Sequence, residues 1–243
     1  MDIFNDKICD QLDKLKNLFT LSGINNLLNL DNNLIDLNSF LNAKFEDDEE
    51  YMDFLYEHKW HPYTGYELDY QLVKDIMQIK RSICDYQLAD SMIYKTIFYY
   101  YDSNSVKGLK RKWSKYIKDY RKRILIQSLS AFSRYEYALT ICALIPMWFV
   151  FINNIANTNE HKISKIITKY NDIMSGKNYS EIYNEFFNRY IFYDCRDTSQ
   201  VVSDVPGRHA IAHGYFNKYP SKKSALNAII FTDLLVDLEK AKP

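Results

Sequence analysis

Residues that interrupt regular structure are scarce in this sequence. Glycine and proline, the two residues that most often end helices, account for only 6 and 5 of its 243 residues. The stretches between them are rich in leucine, isoleucine, lysine and glutamate, which are all compatible with helix. Apolar side chains make up 47% of the chain, and at this length they can form a continuous core. The sequence therefore predicts an all-α fold.

Apolar residues recur at helical spacing along most of the chain. In residues 1–45 the spacing of the apolar side chains predicts two short amphipathic helices. Further helices are predicted at residues 67–81, 82–101, 109–124, 124–155, 161–174, 179–193 and 222–240. Pro146 should mark a break or kink in the apolar stretch that contains it. We divide the chain into an N-terminal helical region, residues 1–105, and a helical domain, residues 106–243.

One uncharged run, Tyr137 to Asn159, resembles a membrane span in length. A span needs about 20 mainly apolar residues, and only Ala138 to Ile152 meets that description. We therefore expect a buried core helix and no membrane partner, and a membrane-associated helical protein is the weakest of our alternatives. The first ten residues lack the basic and apolar regions of a secretory signal. The four cysteines are widely separated, which is typical of reduced thiols in a cytoplasmic protein.

The positive charges are concentrated in one segment. Residues 107–123 hold nine basic side chains and one acid, interleaved with aromatic rings. Such a segment is suited to following an RNA backbone, and it fits equally well the solvated face of an amphipathic helix. The candidate RNA-binding residues are Lys110, Arg111, Lys115, Lys118, Arg121, Lys122, Arg123 and, further along the chain, Lys218. The residues of the basic segment would help to bind RNA only if their helix borders the groove formed by the sequence motif that is described next.

The most informative local pattern is the nine-residue segment from Arg208 to Phe216, RHAIAHGYF. We expect Asp204 to be the N-cap of a short helix that ends after Gly214. An arginine stabilises charge on a phosphate without losing its own proton. A histidine with a pKa near neutrality can remove or supply protons. Arg208 and His213 are therefore candidate catalytic residues for RNA cleavage by the strand's own 2′-hydroxyl, without a metal.

The spacing of this pair resembles the signature of the HEPN superfamily, in which an arginine usually precedes a histidine by four to six intervening residues. Three further segments are similar to a bacterial HEPN group often linked to phage defence. These are Lys222–Ile230 with Leu234 and Leu235, Tyr135–Ala138 with Ala143–Pro146, and, more weakly, Glu57–Trp60.

The resemblance implies an up-and-down helical bundle with an N-terminal helical extension. It also implies a homodimer in which Arg208 and His213 of both copies form one composite site. The expected activity is that of a metal-independent endoribonuclease that needs no cofactor and acts as a toxin or abortive-infection effector. Because Met147–Phe151 is apolar where related sequences often carry an acid, a non-catalytic HEPN-like RNA-binding or protein-interaction module is the alternative.

Two neighbours of the catalytic pair are candidate auxiliary residues, His209 and Tyr215. Tyr215 resembles the tyrosine that a nucleotidyltransferase antitoxin adenylylates in some HEPN toxins, which makes such an antitoxin a candidate partner. An ordinary packed tyrosine is the competing interpretation, because the chain holds 21 tyrosines. The i, i+4 spacing of His209 and His213 also suits a zinc ion. The glutamate expected in a zinc-protease helix is absent, so we predict no metal site.

Overall fold

The described part of the protein consists of helices and their connections. The structure is a computed structural model, and it describes residues 49–63, 70–101, 103–177, 179–215 and 220–242. The two amphipathic helices expected in residues 1–45 lie outside these ranges. The described elements contain no strand, so the all-α prediction is confirmed for them.

The helices are numbered here in chain order. They are α1 (residues 49–57), α2 (Tyr70–Ser82), α3 (Tyr86–Tyr100), α4 (Ser103–Tyr116), α5 (Arg121–Ser133), α6 (Tyr137–Ala156), α7 (Ile163–Met174), α8 (Ser180–Phe186), α9 (Arg208–His213) and α10 (Lys222–Lys240). A π-helical turn, Phe187–Ile191, continues α8, and a short 3₁₀ turn, Thr198–Gln200, precedes α9.

Helix α10 is the central element of the fold. Every residue from Lys223 to Leu238 is buried, so the helix is surrounded on all sides and not only along one apolar stripe. Its longest neighbour is α6, where the Trp148 indole donates a hydrogen bond to the Thr232 hydroxyl at 2.8 Å. Ser221 is the N-cap of the helix, because its side chain accepts a hydrogen bond from the Ser224 amide.

The acidic residues of α10 are buried and paired. Lys112 Nζ lies 2.9 Å from an Asp233 oxygen and 2.6 Å from an Asp237 oxygen. The Trp113 indole donates to Asp233 at 2.8 Å, and the Tyr63 hydroxyl donates to Asp237. Each of these two carboxylates therefore has hydrogen-bond partners, as burial of a charge requires.

One predicted helix differs from the structure. The helix expected over residues 109–124 is divided, since α4 ends at Tyr116 and α5 begins at Arg121. The Asp119 carboxylate accepts a hydrogen bond from the Arg121 amide at 2.9 Å and so stabilises the start of α5.

Pro146 does not break its helix, because α6 continues through it, and the alternative of a kink at this residue stays a prediction. Its side chain and that of Cys142 are exposed, so the carbonyl that loses its amide donor is on the solvent side. The break in the apolar stretch lies instead at residues 134–136, where Tyr135 has a φ of 64°.

The boundary predicted near residue 105 stays a prediction. Described residues on both sides of it belong to one hydrophobic core, from Tyr51 in α1 to Leu238 in α10. The His61 amide, for example, donates to the Asn227 side chain at 2.8 Å.

Candidate active site

Helix α9 carries the predicted catalytic pair at its two ends. It begins at Arg208 after the N-cap Gly207, so the predicted N-cap, Asp204, is wrong. Asp204 lies four residues before the helix in the left-handed region, with a φ of 68°. Its carbonyl accepts a hydrogen bond from Asn227 Nδ2 at 3.1 Å, which turns the chain there before the helix begins.

Glycine is required at the N-cap because an aromatic ring lies against it. A Cβ at Gly207 would come within 2.4 Å of both Cε1 and the hydroxyl oxygen of Tyr193. The Tyr193 hydroxyl is itself held by the Val202 amide, which donates to it at 3.2 Å. The start of the motif helix is therefore fixed by close contact between its backbone and this ring.

The loop before α9 is also fixed to the central helix. The Ser224 hydroxyl donates to the Val205 carbonyl at 2.9 Å. Asn227, which is fully buried, donates to the carbonyls of Lys59 and Asp204. These contacts of α10 position the entrance of the motif, and sequence reasoning did not find them because their partners are far apart in the chain.

The end of α9 determines the position of Tyr215. Gly214 has a φ of 68°, and its amide donates to the Ile211 carbonyl at 3.2 Å. The Tyr215 amide donates to the Ala210 carbonyl at 2.8 Å. This pair of bonds is a Schellman motif, which turns the chain back over the last helical turn. The Tyr215 ring consequently stacks on His213, with centroids 5.7 Å apart and planes at 22°.

Two imidazoles and one phenol form a ring cluster on α9. The rings of His209 and His213 lie 4.3 Å apart, and that of Tyr215 lies 6.4 Å from His209. Nε2 of His209 lies 3.4 Å from Oδ1 of Asp194, a residue that sequence reasoning missed. The side chain of His213 is exposed, whereas that of His209 is half-buried. Of the two imidazoles, that of His213 is the more accessible to a ligand from solvent.

The Arg208 guanidinium rests on an aromatic ring. Its Cζ lies 5.5 Å from the centroid of Phe149 on α6, a cation–π distance. Among the described residues, no carboxylate is recorded in an ion pair with Arg208. Partial burial lowers the pKa of Arg208 from its ordinary value, but an arginine remains protonated at neutral pH. Its charge is held in place by a ring and is not neutralised by a described acid.

Phe149 belongs to an uncharged, partly exposed face of α6. Leu139 is 59% exposed, and Cys142 and Pro146 are also exposed. These residues and Phe149 recur at intervals of three and four, so they form one stripe that ends beside Arg208. Length and composition alone would let α6 cross a membrane, and 44% of its most apolar stretch is buried inside the protein. The stripe consists of side chains of α6 that packing inside the protein leaves fully or partly exposed.

The basic segment is not brought close to the motif by any described contact. Lys112 and Trp113 bind α10 at Asp233, whereas the loop before the motif binds α10 at Ser224, about 14 Å away along the helix axis. The side chains of Arg111, Lys115, Lys118, Lys122 and Arg123 are exposed, and Lys110 is half-buried. Lys218 lies outside the described residues.

Arg121 is a structural residue and not an exposed cation. Its side chain is 5% exposed, and it forms ion pairs with Asp119 at 2.6 Å and Glu239 at 2.9 Å. The guanidinium also lies 4.8 Å from the centroid of the Phe151 ring. One face of the guanidinium and the edges that bind the two carboxylates are therefore engaged within the protein, so the expected contact of Arg121 with RNA is corrected.

The other histidines do not join His209 and His213. His58 and His61 are buried beside α10, where His58 stacks on Tyr86. In the part of the chain that the structure describes, no three His, Cys, Asp or Glu side chains are grouped to hold a metal ion.

Comparison with known proteins does not identify a family. No protein-family model matches the chain, and no curated protein or solved structure matches it either.

Proposed function

We propose that the protein is a metal-independent endoribonuclease of the HEPN type, in which Arg208 and His213 are the catalytic residues. The observation that supports this most is the accessibility of these two charged or titratable groups. The Arg208 guanidinium forms no ion pair with a carboxylate among the described residues, and the His213 imidazole, five residues later, is exposed. Both groups are available to an external anion. A phosphodiester supplies that anion, and the histidine supplies the proton transfer that its cleavage requires.

The reaction proceeds by internal attack. The 2′-hydroxyl oxygen of the RNA attacks the adjacent phosphorus while a histidine removes its proton. The bond from phosphorus to the 5′-oxygen breaks, and a second histidine protonates that oxygen as it leaves. Arg208 binds the phosphate oxygens on which negative charge increases. The products are a 2′,3′-cyclic phosphate and a 5′-hydroxyl.

The second histidine comes from a second copy of the chain. The stripe of Leu139, Cys142, Pro146 and Phe149 supports this, because it is an exposed apolar face that ends at Arg208. Pairing two such stripes buries apolar surface that is otherwise in water. The same contact brings Arg208 and His213 of both copies to one groove.

The function is tested by RNA cleavage in EDTA. Wild-type protein should cut RNA, and the Arg208→Ala and His213→Ala variants should each lose about 10²-fold or more of that activity. Arg81→Ala and His161→Ala are matched controls, because both residues are exposed and neither is a candidate catalytic or RNA-binding residue. Circular dichroism would establish that each variant is folded.

Cleavage that survives both substitutions, or that requires added metal, would exclude this mechanism. Binding of RNA without cleavage by the wild type would favour the non-catalytic module instead.

The shared site is tested by mixing subunits. Wild-type protein is combined with an equal amount of the Arg208→Ala, His213→Ala double variant, and the subunits are allowed to exchange. If both copies contribute to one site, an equal mixture retains about one quarter of the activity, whereas independent sites retain about one half. An activity that falls in direct proportion to the fraction of wild-type protein would exclude the composite site, but it would not exclude the proposed chemistry of Arg208 and His213.

Tyr215 is the proposed target of a nucleotidyltransferase antitoxin. Its ring lies against His213, so a nucleotide attached to the hydroxyl would add bulk and negative charge at the site.

A further inference from the structure

A small cleft lies beside α9, on a different face from the two histidines. Gly207, Ala210 and Ile211 line it at helical spacing, and its volume is about 100 Å³. That is several times the roughly 10–15 Å³ needed for one water molecule. It is well below the roughly 300 Å³ or more of pockets for drug-sized ligands. The cleft is partly open to solvent, so it can take the edge of one flat ring system but cannot enclose a whole nucleotide.

Tyr215 connects this cleft to the proposed catalytic groups. It is one of the residues that line the cleft, and it also stacks on His213 at 5.7 Å. An RNA strand whose phosphate is bound by Arg208 and His213 would thus have a neighbouring base within reach of the cleft. Of the two aromatic residues that line the cleft, Tyr193 is packed against Gly207, and Tyr215 supplies the ring for stacking, which is how proteins hold unpaired bases.

The polar lining favours one base. Asp204 lines the cleft and is half-buried. Its negative charge interacts with Lys223 and Tyr94, and no described residue donates a hydrogen bond to its carboxylate. A carboxylate accepts two hydrogen bonds side by side. Guanine is the RNA base whose Watson–Crick edge carries two adjacent donors, N1–H and the N2 amino group. Adenine, cytosine and uracil each place acceptors beside a single donor group there.

The backbone of the cleft is held by the core. Asn227 and Ser224 of the buried helix α10 bind the carbonyls of Asp204 and Val205. The lining is therefore built before any ligand binds, which lowers the entropy lost on binding.

We propose that this cleft binds an unpaired guanine next to the scissile phosphate, with the Asp204 carboxylate accepting from N1–H and N2–H. The proposal rests on the proposed function, because that function supplies the RNA. It makes the enzyme specific for single-stranded RNA that contains guanine at the cleavage site.

The first experiment measures nucleoside binding without cleavage. Full-length Arg208→Ala protein is titrated with guanosine, inosine and adenosine, and binding is followed by NMR. Guanosine should bind about tenfold more tightly than inosine, which lacks the N2 amino group, and adenosine should bind more weakly still. Equal affinities, or no binding of guanosine, would overturn the proposal.

Asp204→Asn is the decisive variant. Asparagine accepts a positive φ as readily as aspartate, so the backbone should not change. Its side chain offers one acceptor in place of two, and the preference for guanosine should disappear. Asp172→Asn, at an exposed position on α7, is the matched control and should keep the preference. A guanosine preference that survives in Asp204→Asn would contradict the role of the carboxylate.

The second experiment separates this inference from the proposed function. Wild-type protein is given RNA in which single guanines are replaced by inosine, and the cut positions are mapped. Cuts next to a replaced guanine should become about tenfold slower. Cleavage without any preference for guanine would overturn the base site alone. Guanosine binding without RNA cleavage would leave the base site standing and overturn the ribonuclease.

Discussion

The contact between Gly207 and Tyr193 allows a quantitative test of how the motif is positioned. Replacing Gly207 by alanine places a Cβ 2.4 Å from the Cε1 and the hydroxyl oxygen of Tyr193, which is 1 Å inside the 3.4 Å at which ordinary contact begins. The clash is with a ring and not with a flexible chain end, and the Val202 amide holds that ring through its hydroxyl. Forcing extra carbon into a packed site costs about 1–3 kcal/mol, so Gly207→Ala should lower the free energy of unfolding by that amount.

A double-mutant cycle identifies the cause of this loss. In a Tyr193→Ala background the ring is absent, and Gly207→Ala should then change the free energy of unfolding by less than about 0.5 kcal/mol. Urea denaturation of the four proteins gives the coupling energy. Gly108→Ala is the control, because a Cβ there meets nothing within 4 Å and should stabilise α4 by about 0.5–1 kcal/mol.

The reasoning fails if Gly207→Ala is neutral in the wild type. It fails equally if the substitution has the same cost with and without the Tyr193 ring, because the clash would then not be its cause.

Three other predictions concern the core around α10. Asn227→Ala leaves the His61 amide and the carbonyls of Lys59 and Asp204 without their partner. It should therefore lower the free energy of unfolding, measured by urea denaturation, by about 3 kcal/mol or more, and a decrease below about 1 kcal/mol would contradict this. Burial lowers the pKa of His61 from 6.5 to about 3, so the folded protein keeps this imidazole neutral where the unfolded chain would protonate it. The free energy of unfolding should therefore be highest above pH 6.5 and should fall by up to about 1.4 kcal/mol per pH unit as the pH decreases towards 3. His61→Gln should reduce this pH dependence while His161→Gln should not, and equal curves for the two variants would refute the assignment. Arg121→Ala should lower the free energy of unfolding by about 1–3 kcal/mol, because it removes a buried guanidinium that is paired with Glu239 and with the partly exposed Asp119. The exposed Arg123→Ala should change the free energy of unfolding by less than about 0.5 kcal/mol, and similar values for the two variants would contradict the structural role of Arg121.

Local features of the fold were predictable from the sequence because their signals are local. Gly214 ends α9 and Ser221 begins α10, as expected from the preferences of glycine and serine at helix ends. The break that Pro146 could have caused does not occur, because the effect of a proline depends on its exposure, which periodicity did not establish. The N-cap prediction for Asp204 was wrong because Asn227, distant in the chain, fixes the turn there.

The site was predictable only in part. Arg208 and His213 were selected from their chemistry and spacing, and the structure shows where they lie. Phe149, Tyr193 and Asp194 could not be selected, because only tertiary packing brings them to α9. Arg121 was misassigned for the same reason, since a basic residue in a basic segment gives no sign of two carboxylate partners.

The chemical ends of cleaved RNA test the central claim most directly. Wild-type protein and RNA are incubated in EDTA, and the new ends are identified by mass spectrometry. We predict 2′,3′-cyclic phosphate and 5′-hydroxyl ends, and no cut at a position that carries a 2′-O-methyl group. Ends with a 5′-phosphate and a 3′-hydroxyl, or cutting at the methylated position, would contradict attack by the RNA's own hydroxyl.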